Sequence, residues 1–156
     1  MSQPLRLQRL SQNALETEAL GEAVGKQLMG GEVIELNSDL GGGKTTFTRG
    51  LARGFGSDDK VSSPTFTLSK VYENGRRELH HFDFYRLPEA GLMQHELHDV
   101  MQDPDCSIVI EWAGIVEDVM PKNRLRVTLT NEGDDARQLV FDCPTELGYL
   151  VKGLQQ

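Results

Sequence analysis

The most informative segment of this 156-residue chain reads Ser38-Asp39-Leu40-Gly41-Gly42-Gly43-Lys44-Thr45-Thr46. It follows a short run of β-favouring residues, Val33 to Leu36, and precedes a pattern in which Phe47, Leu51 and Phe55 recur at helical spacing. A glycine-rich turn with a lysine and a hydroxyl residue, set between a strand and a helix, is the signature of a phosphate-binding P-loop. The segment therefore predicts an α/β domain that binds a nucleotide.

The residue types of this segment suit a nucleoside triphosphate bound with Mg²⁺. Small residues let backbone N–H groups converge on phosphate oxygens at the start of a helix, where the helix dipole favours anions. We expect Lys44 to bridge the β- and γ-phosphates and the Thr45 hydroxyl to coordinate the metal. Ser38 stands at the first glycine position of the pattern, where serine resists a positive φ and crowds a close approach to the nucleotide.

Two carboxylates end predicted strands and are candidates for work at the metal. Glu111 ends the most apolar strand of the chain, and Asp83 ends a second one, in His81-Phe82-Asp83. An acid at a strand end beside a P-loop can hold a metal-bound water or orient the attacking water. Each acid could instead cap the next helix or loop, and the residues alone leave open which of the two activates water.

Other signals are weaker. The segment from Ser62 to Thr65 lies where nucleotide switches place a hydroxyl that senses the γ-phosphate, although Ser-Pro is also ordinary turn chemistry. Trp112 suits core or interface packing at least as well as contact with a nucleotide base.

The histidines do not predict a metal centre. His95 and His98 share a helical face, but without a nearby cysteine or third histidine this spacing favours a solvated surface. His80 and His81 are neighbours in a predicted strand, so their side chains point to opposite sides and do not form a pair.

The remaining patterns complete a single domain over residues 1–156, without repeats or linkers. The capping-box spacing of Asn13 and Glu16 predicts the start of a first helix, which Gly21 and Gly25 weaken by up to about 1 kcal/mol each. A hairpin turn is predicted at Asn74-Gly75. We predict helices over 13–29, 88–100 and 145–154, and further strands over 65–72, 78–85, 106–112, 124–130 and 136–143. The expected fold is a P-loop NTPase-like three-layer α/β domain: a central mixed sheet, flanked by helices, with antiparallel hairpins at one edge.

Composition and charge exclude several classes. With 16 Lys and Arg against 24 Asp and Glu, the net charge of -8 makes direct binding of nucleic acid unfavourable. We expect no leader, because Met1 to Leu10 alternates polar and apolar residues, and no apolar run approaches the ~20 residues of a membrane span. Cys106 and Cys143 make neither a disulfide framework nor a zinc cluster. We expect a cytoplasmic, reduced protein with no membrane contact.

Four blocks of the chain together carry a resemblance. They read DLGGGKTTF at 39–47, SPTFTL at 63–68, HFDFYRL at 81–87 and IVIEW at 108–112. In this order and spacing they resemble the TsaE family of ATPases, which serve tRNA threonylcarbamoyladenosine biosynthesis. Two positions depart from the family's usual residues: Ser38 replaces a glycine and Gly42 replaces a common alanine.

The resemblance implies a small P-loop ATPase that is weak alone and requires ATP and Mg²⁺. Such a protein docks onto a TsaB–TsaD heterodimer, in which TsaD transfers the threonylcarbamoyl group. ATP binding and hydrolysis then reset the complex between turnovers, and tRNA is contacted only through the partners. The acidic net charge agrees with that arrangement.

The resemblance also implies roles for single residues. Lys44 and Thr45 would hold the phosphates and Mg²⁺, Glu111 would stand in for the usual Walker-B acid, and Asp83 would be a catalytic or water-orienting acid. Thr65 would be a switch-like residue, and Trp112 would be a residue linked to activity. Contacts with the nucleotide base are expected near Thr17 and Arg137.

Three other functions compete with this one. One is an ATP-gated protein-binding module with negligible hydrolysis, and another is a small-molecule P-loop kinase. Kinases generally need an arginine-bearing lid, whereas arginine is scattered here and only Arg76-Arg77 is adjacent. A GTPase is disfavoured because no Asn-Lys-x-Asp motif for guanine is present.

Overall fold

The computed structural model describes residues 3–39, 41–62, 64, 69–85, 91 and 93–154. Seven strands are observed: β1 Leu5–Ser11, β2 Val33–Asn37, β3 Ser69–Asn74, β4 Arg77–Asp83, β5 Cys106–Glu111, β6 Leu125–Asn131 and β7 Arg137–Cys143. The helices are α1 Ala14–Gly25, α2 Lys44–Phe55 and α3 Gln94–Met101, with 3₁₀ segments at Ala113–Val119 and Thr145–Leu154. Among these described residues, no helix has the length and apolar character to cross a membrane.

All seven strands form one sheet in the order β1-β7-β6-β2-β5-β4-β3. Strand β2 is parallel to β5 and β6, and β4 is parallel to β5. The β3–β4 hairpin closes one edge, while β6, β7 and β1 run antiparallel at the other. The mixed sheet flanked by helices is confirmed, but antiparallel pairs lie at both edges rather than at one. The difference arises because β6 pairs with β2, so that the β6–β7 hairpin lies at the edge opposite the β3–β4 hairpin. Strand β1, which the sequence analysis did not predict, extends that edge by pairing with β7.

Apolar side chains pack on both faces of this sheet. Ile34 and Leu36 join a core beneath α1 and α2, whereas the alternate residue Val33 packs with α3 and the 3₁₀ segment Ala113–Val119. The three layers are therefore those expected for a parallel-centred α/β domain.

Helices α1 and α2 run parallel and touch backbone to backbone. A Cβ on Gly50 would lie 1.9 Å from the Glu18 carbonyl oxygen, and one on Gly21 would lie 2.2 Å from the Phe47 carbonyl oxygen. Arg53 bridges the two helices through ion pairs of 3.0 Å to Glu18 and, equally, to Glu22. The glycines predicted to weaken the first helix thus permit its close packing.

Several predicted boundaries shift. The first helix ends at Gly25 rather than Met29, because the Gln27 and Leu28 amides donate to the carbonyls three residues before them, Val24 and Gly25, instead of continuing the α-helical pattern. The hairpin turn is Gly75-Arg76, not Asn74-Gly75, since Asn74 still pairs with Arg77 and its side chain donates to the Phe55 carbonyl at 2.9 Å. The closing segment 145–154 is 3₁₀ rather than α-helical. Residues 65–68 of the predicted strand and 88–90 and 92 of the predicted helix lie outside the described residues.

A buried carboxylate ties the segment before β2 to two distant elements. Glu32 accepts hydrogen bonds of 2.7–2.8 Å from the Met29 and Gly30 amides, the Ser107 hydroxyl and the Tyr149 hydroxyl. Burial alone would raise the pKa of Glu32, but these hydrogen bonds outweigh it and hold the pKa below its ordinary value. The ionised form is therefore part of the folded structure.

Replacement of Glu32 with glutamine is expected to lower the free energy of unfolding by about 2–3 kcal/mol, because an amide cannot accept all four donors. The folded-state pKa is depressed, so the contribution of Glu32 is complete above its unfolded pKa and lost as pH falls through the folded pKa. Urea unfolding should therefore give a lower free energy of unfolding for Glu32→Gln than for wild type at pH 7. The difference between the two free energies should become smaller below about pH 4. Glu132→Gln, at an exposed position, is the matched control; an equal loss in both variants would contradict this role.

Candidate active site

The turn between β2 and α2 has the backbone of a phosphate-binding loop. Gly41 and Gly43 adopt positive φ angles of 75° and 99°, which glycine takes without strain. Among the described residues, no side chain caps α2 at Gly43. The first amides of a helix have no intrahelical acceptor, so those of α2 can be offered to an anion. Leu40, predicted as part of this loop, lies outside the described residues.

Ser38 and Gly42 form a compensating pair within the loop. A Cβ on Gly42 would lie 2.3 Å from the Ser38 hydroxyl oxygen. The space that a residue larger than glycine would need at 42 is therefore occupied by the side chain at 38. Serine at position 38 and glycine at position 42 consequently fit each other.

Lys44 is buried at the first turn of α2. Its Nζ donates to the Ser38 hydroxyl at 2.9 Å and to the Asp39 carbonyl at 3.3 Å. Burial lowers the pKa of Lys44, and the nearby carboxylates of Glu111, Asp83 and Asp39 oppose that shift. The lysine is thus folded back onto the loop and lies in the field of both predicted acids. Thr45 and Thr46 follow it half-buried.

Asp83 and Glu111 are brought together by strand register. They are direct partners at the carboxyl ends of the parallel strands β4 and β5, and each is 3% exposed. Asp83 Oδ1 accepts a 3.0 Å hydrogen bond from the Tyr85 amide. Because β2 is parallel to β5, its carboxyl end, which leads into the P-loop, lies at the same edge of the sheet.

A buried chain of polar groups extends from Glu111. Its Oε2 lies 2.6 Å from His81 Nε2, and His81 Nδ1 lies 3.1 Å from the Tyr72 hydroxyl. The Tyr72 hydroxyl donates in turn to the Ser62 carbonyl at 3.3 Å. Sequence reasoning missed His81 and Tyr72 as site residues, since only the pairing of β3, β4 and β5 makes them neighbours. The predicted switch residue Thr65 follows this chain but lies outside the described residues.

Trp112 belongs to the site rather than to the core alone. Its ring lies 4.9 Å from Lys44 Nζ, and its centroid is 4.9 Å from that of Tyr85. The backbone of Trp112 has φ 61° and ψ 49°, a left-handed conformation that is uncommon for an aromatic residue. This backbone conformation, in the residue that directly follows Glu111, directs the indole toward Lys44.

The two residues expected near the base are placed differently. Arg137 reaches the P-loop, where Nε donates to the Gly42 carbonyl at 3.2 Å. Thr17 is 1% exposed, and its hydroxyl is 2.7 Å from that of Ser11, which pairs with Arg137 across β1 and β7. Thr17 therefore reaches this corner only through Ser11.

An open cleft of about 570 Å³ borders the loop. One side of the cleft is formed by the P-loop and the end of β2, which the sequence analysis had identified. The opposite side is formed by the end of β6. The lining residues are Asn37, Ser38, Asp39, Gly42, Thr128, Leu129, Thr130 and Asn131. The polar end of β6 was missed, although its run of threonine and asparagine was a visible signal.

Residues 11–139 match the family described as "Threonylcarbamoyl adenosine biosynthesis protein TsaE". The chain belongs to the TsaE family. This confirms the resemblance drawn from the four motif blocks, and the family's description places it in threonylcarbamoyladenosine biosynthesis.

Individual relatives agree with this membership. The tRNA threonylcarbamoyladenosine biosynthesis protein TsaE of Bacillus subtilis is 38% identical over 133 residues, covering 83% of this chain and 80% of that protein. The protein of the same name from Haemophilus influenzae is 34% identical over 116 residues, covering 74% and 73%. Among solved structures, the crystal structure of Bacillus subtilis YdiB superposes with a TM-score of 0.76 at 30% identity, covering 99% of this chain and 97% of that one.

Proposed function

We propose that this chain is a Mg²⁺-dependent ATPase that acts in tRNA threonylcarbamoyladenosine biosynthesis. The observation that carries the proposal is the convergence of Lys44, Asp83 and Glu111 at the carboxyl edge of the sheet, next to the first amides of α2. A phosphate cradle, a buried ammonium and two oriented carboxylates are the groups that phosphoryl transfer to water requires.

Each group has a defined task in this proposal. The amides at the start of α2 bind the phosphates, and Lys44 exchanges its contacts with Ser38 and Asp39 for phosphate oxygens. Thr45 and Glu111 would hold Mg²⁺ through their side-chain oxygens, and the ion would supply positive charge for the triphosphate. Asp83 orients the attacking water. His81 holds the Glu111 carboxylate in one orientation.

The buried chain of polar groups offers a route from hydrolysis to conformation. It joins Glu111 through His81 and Tyr72 to the backbone of Ser62, directly before the block that contains Thr65. We expect the γ-phosphate to order that block and its loss to release it.

Partners complete the proposal. We expect docking onto a TsaB–TsaD pair in the cytoplasm, with tRNA held by the partners, since the net charge of -8 opposes direct binding of a polyanion. Trp112 and Arg137 are expected to contact or orient the bound nucleotide, as Trp112 lies against Lys44 and Arg137 against the loop. Thr17 would contribute to the base pocket only through its hydrogen bond with Ser11.

Replacement of Glu111 with glutamine is expected to leave ATP affinity within about threefold of wild type and to lower hydrolysis by on the order of 10²-fold. The phosphate cradle stays intact, while the metal loses a charged ligand. Isothermal titration and a phosphate-release assay measure the two effects. Glu146→Gln, at an exposed position, should match wild type in both; unchanged hydrolysis in Glu111→Gln would remove this acid from the mechanism.

The coupled function is tested by measuring Mg²⁺-dependent ATP hydrolysis with and without the TsaB–TsaD pair. A low basal rate that rises strongly with the pair is expected. Demonstrable ATP binding without stimulation would instead favour the ATP-gated binding module. Transfer of phosphate to an added metabolite rather than to water would favour the kinase.

A further inference from the structure

Three side chains of metal-ligating type meet at the end of the sheet opposite the P-loop. Glu78 and Cys106 are direct partners at the beginnings of β4 and β5, and His80 lies two residues after Glu78 on the same face. His80 and His81 do point apart, as the sequence predicts. The topology nevertheless provides His80 with a different neighbour, a cysteine 26 residues away.

Two of the three distances among these groups match those of a tetrahedral metal site, and the third is about 0.3 Å shorter. Glu78 Oε1 lies 3.0 Å from His80 Nε2, and Cys106 Sγ lies 3.6 Å from each of those atoms. Bonds of about 2.0–2.3 Å at tetrahedral angles place the ligand atoms of zinc roughly 3.3–3.6 Å apart. The ligand atoms are thus already near the separations that one ion would impose.

The donor set discriminates among metals. Carboxylate, imidazole and thiolate are the three ordinary zinc ligands, whereas Mg²⁺ and Ca²⁺ prefer oxygen alone. Three protein ligands leave the fourth position to water. This donor set differs in kind from the oxygen ligands expected at Thr45 and Glu111.

Access and electrostatics also favour a dication. Cys106 is 4% exposed, but the Glu78 side chain is 38% exposed and opens the cluster to solvent. The Glu78 carboxylate, 3.6 Å from Cys106 Sγ, places a negative charge beside the sulfur, and a bound dication would offset that charge.

We propose that Glu78, His80 and Cys106 form a zinc site that is separate from the nucleotide site. On binding, the Cys106 thiol would release its proton to solvent, and the His80 imidazole would exchange its Nε2 proton through solvent for one on Nδ1. The Cys106 sulfur, His80 Nε2 and Glu78 Oε1 would then each donate a lone pair to the ion. The ion joins β4 to β5 at the ends remote from Asp83 and Glu111, and it stabilises the fold by mass action.

The test is titration of chelator-treated, nucleotide-free protein with Co²⁺, followed by displacement with Zn²⁺. Wild type should show a thiolate-to-cobalt charge-transfer band that saturates at one ion per chain, and Zn²⁺ should abolish the band and raise the melting temperature. Cys106→Ser should lose the band, and His80→Gln should bind at least about tenfold more weakly.

Cys143→Ser is the matched control, because Cys143 is the other buried cysteine and lies outside the cluster. It should titrate like wild type. If Cys106→Ser fails to fold by circular dichroism, His80→Gln carries the test. The absence of a charge-transfer band in wild type, or a wild-type titration in His80→Gln, would overturn the proposal.

Discussion

Replacement of Lys44 with alanine is expected to lower both ATP affinity and ATP hydrolysis by on the order of 10²–10³-fold. The loss has two physical causes. The phosphates lose a cation at the first turn of α2, and the carboxylates of Asp83 and Glu111 lose the nearby ammonium that compensates their negative charges. Triphosphate would then approach two buried acids without compensation, so the remaining loop is expected to bind it poorly.

Isothermal titration with ATP and Mg²⁺ measures the affinity directly. Arg49→Ala is the matched control, because Arg49 is exposed on the same helix and its replacement also removes one positive charge. It should bind ATP within about twofold of wild type, as expected for an exposed charge. The chain contains one tryptophan, Trp112, close to Lys44, so quenching of its fluorescence in wild type gives a second readout. Equal affinity in wild type and Lys44→Ala would contradict the assignment.

Replacement of Gly50 with alanine is expected to lower the free energy of unfolding by about 3 kcal/mol or more. Helix propensity alone predicts the opposite sign, because alanine stabilises a helix interior by about 1 kcal/mol relative to glycine. The new Cβ would stand 1.9 Å from the Glu18 carbonyl oxygen and 2.7 Å from its carbonyl carbon. Both of these Glu18 atoms belong to the backbone of α1, so they cannot move aside as a side chain could. The helices must therefore separate and loosen the core between them.

Urea or thermal unfolding followed by circular dichroism measures this effect. Gly148→Ala is the control, since a Cβ at Gly148 would meet nothing nearer than Leu5 Cδ1 at 3.9 Å. That variant should unfold within about 0.5 kcal/mol of wild type. An increase in stability for Gly50→Ala would show that propensity outweighs helix packing.

Local patterns predicted the features that depend on a few neighbouring residues. The P-loop was read from one strand, one turn and one helix, and α2 does run from Lys44 to Phe55. The Asn13 cap was likewise read locally, and its side chain accepts the Glu16 amide at 2.9 Å. Glycine roles were not predictable in this way, because Gly21 inside a helix pattern signals only a weak helix until its neighbour Phe47 is known.

In the candidate site, too, local features could be predicted from the sequence, whereas contacts between distant residues could not. That Asp83 and Glu111 end strands could be read from apolar runs, but their pairing requires the register of two parallel strands. His81 illustrates the limit: it could be placed on a strand, yet its contact with Glu111 spans 30 residues. Loops and helices set such separations, and short-range periodicity carries no record of them.

The sequence by itself therefore determined the glycine-rich turn between a strand and a helix, the family, the two acids that end strands and the α/β class. Only the tertiary structure decided which groups meet: Lys44 with Trp112, Arg137 with the loop, and Glu78 and His80 with Cys106. The physical reason is that a backbone conformation depends mainly on near neighbours in the chain. A contact between side chains depends instead on strand order and register, which the packing of the whole domain selects.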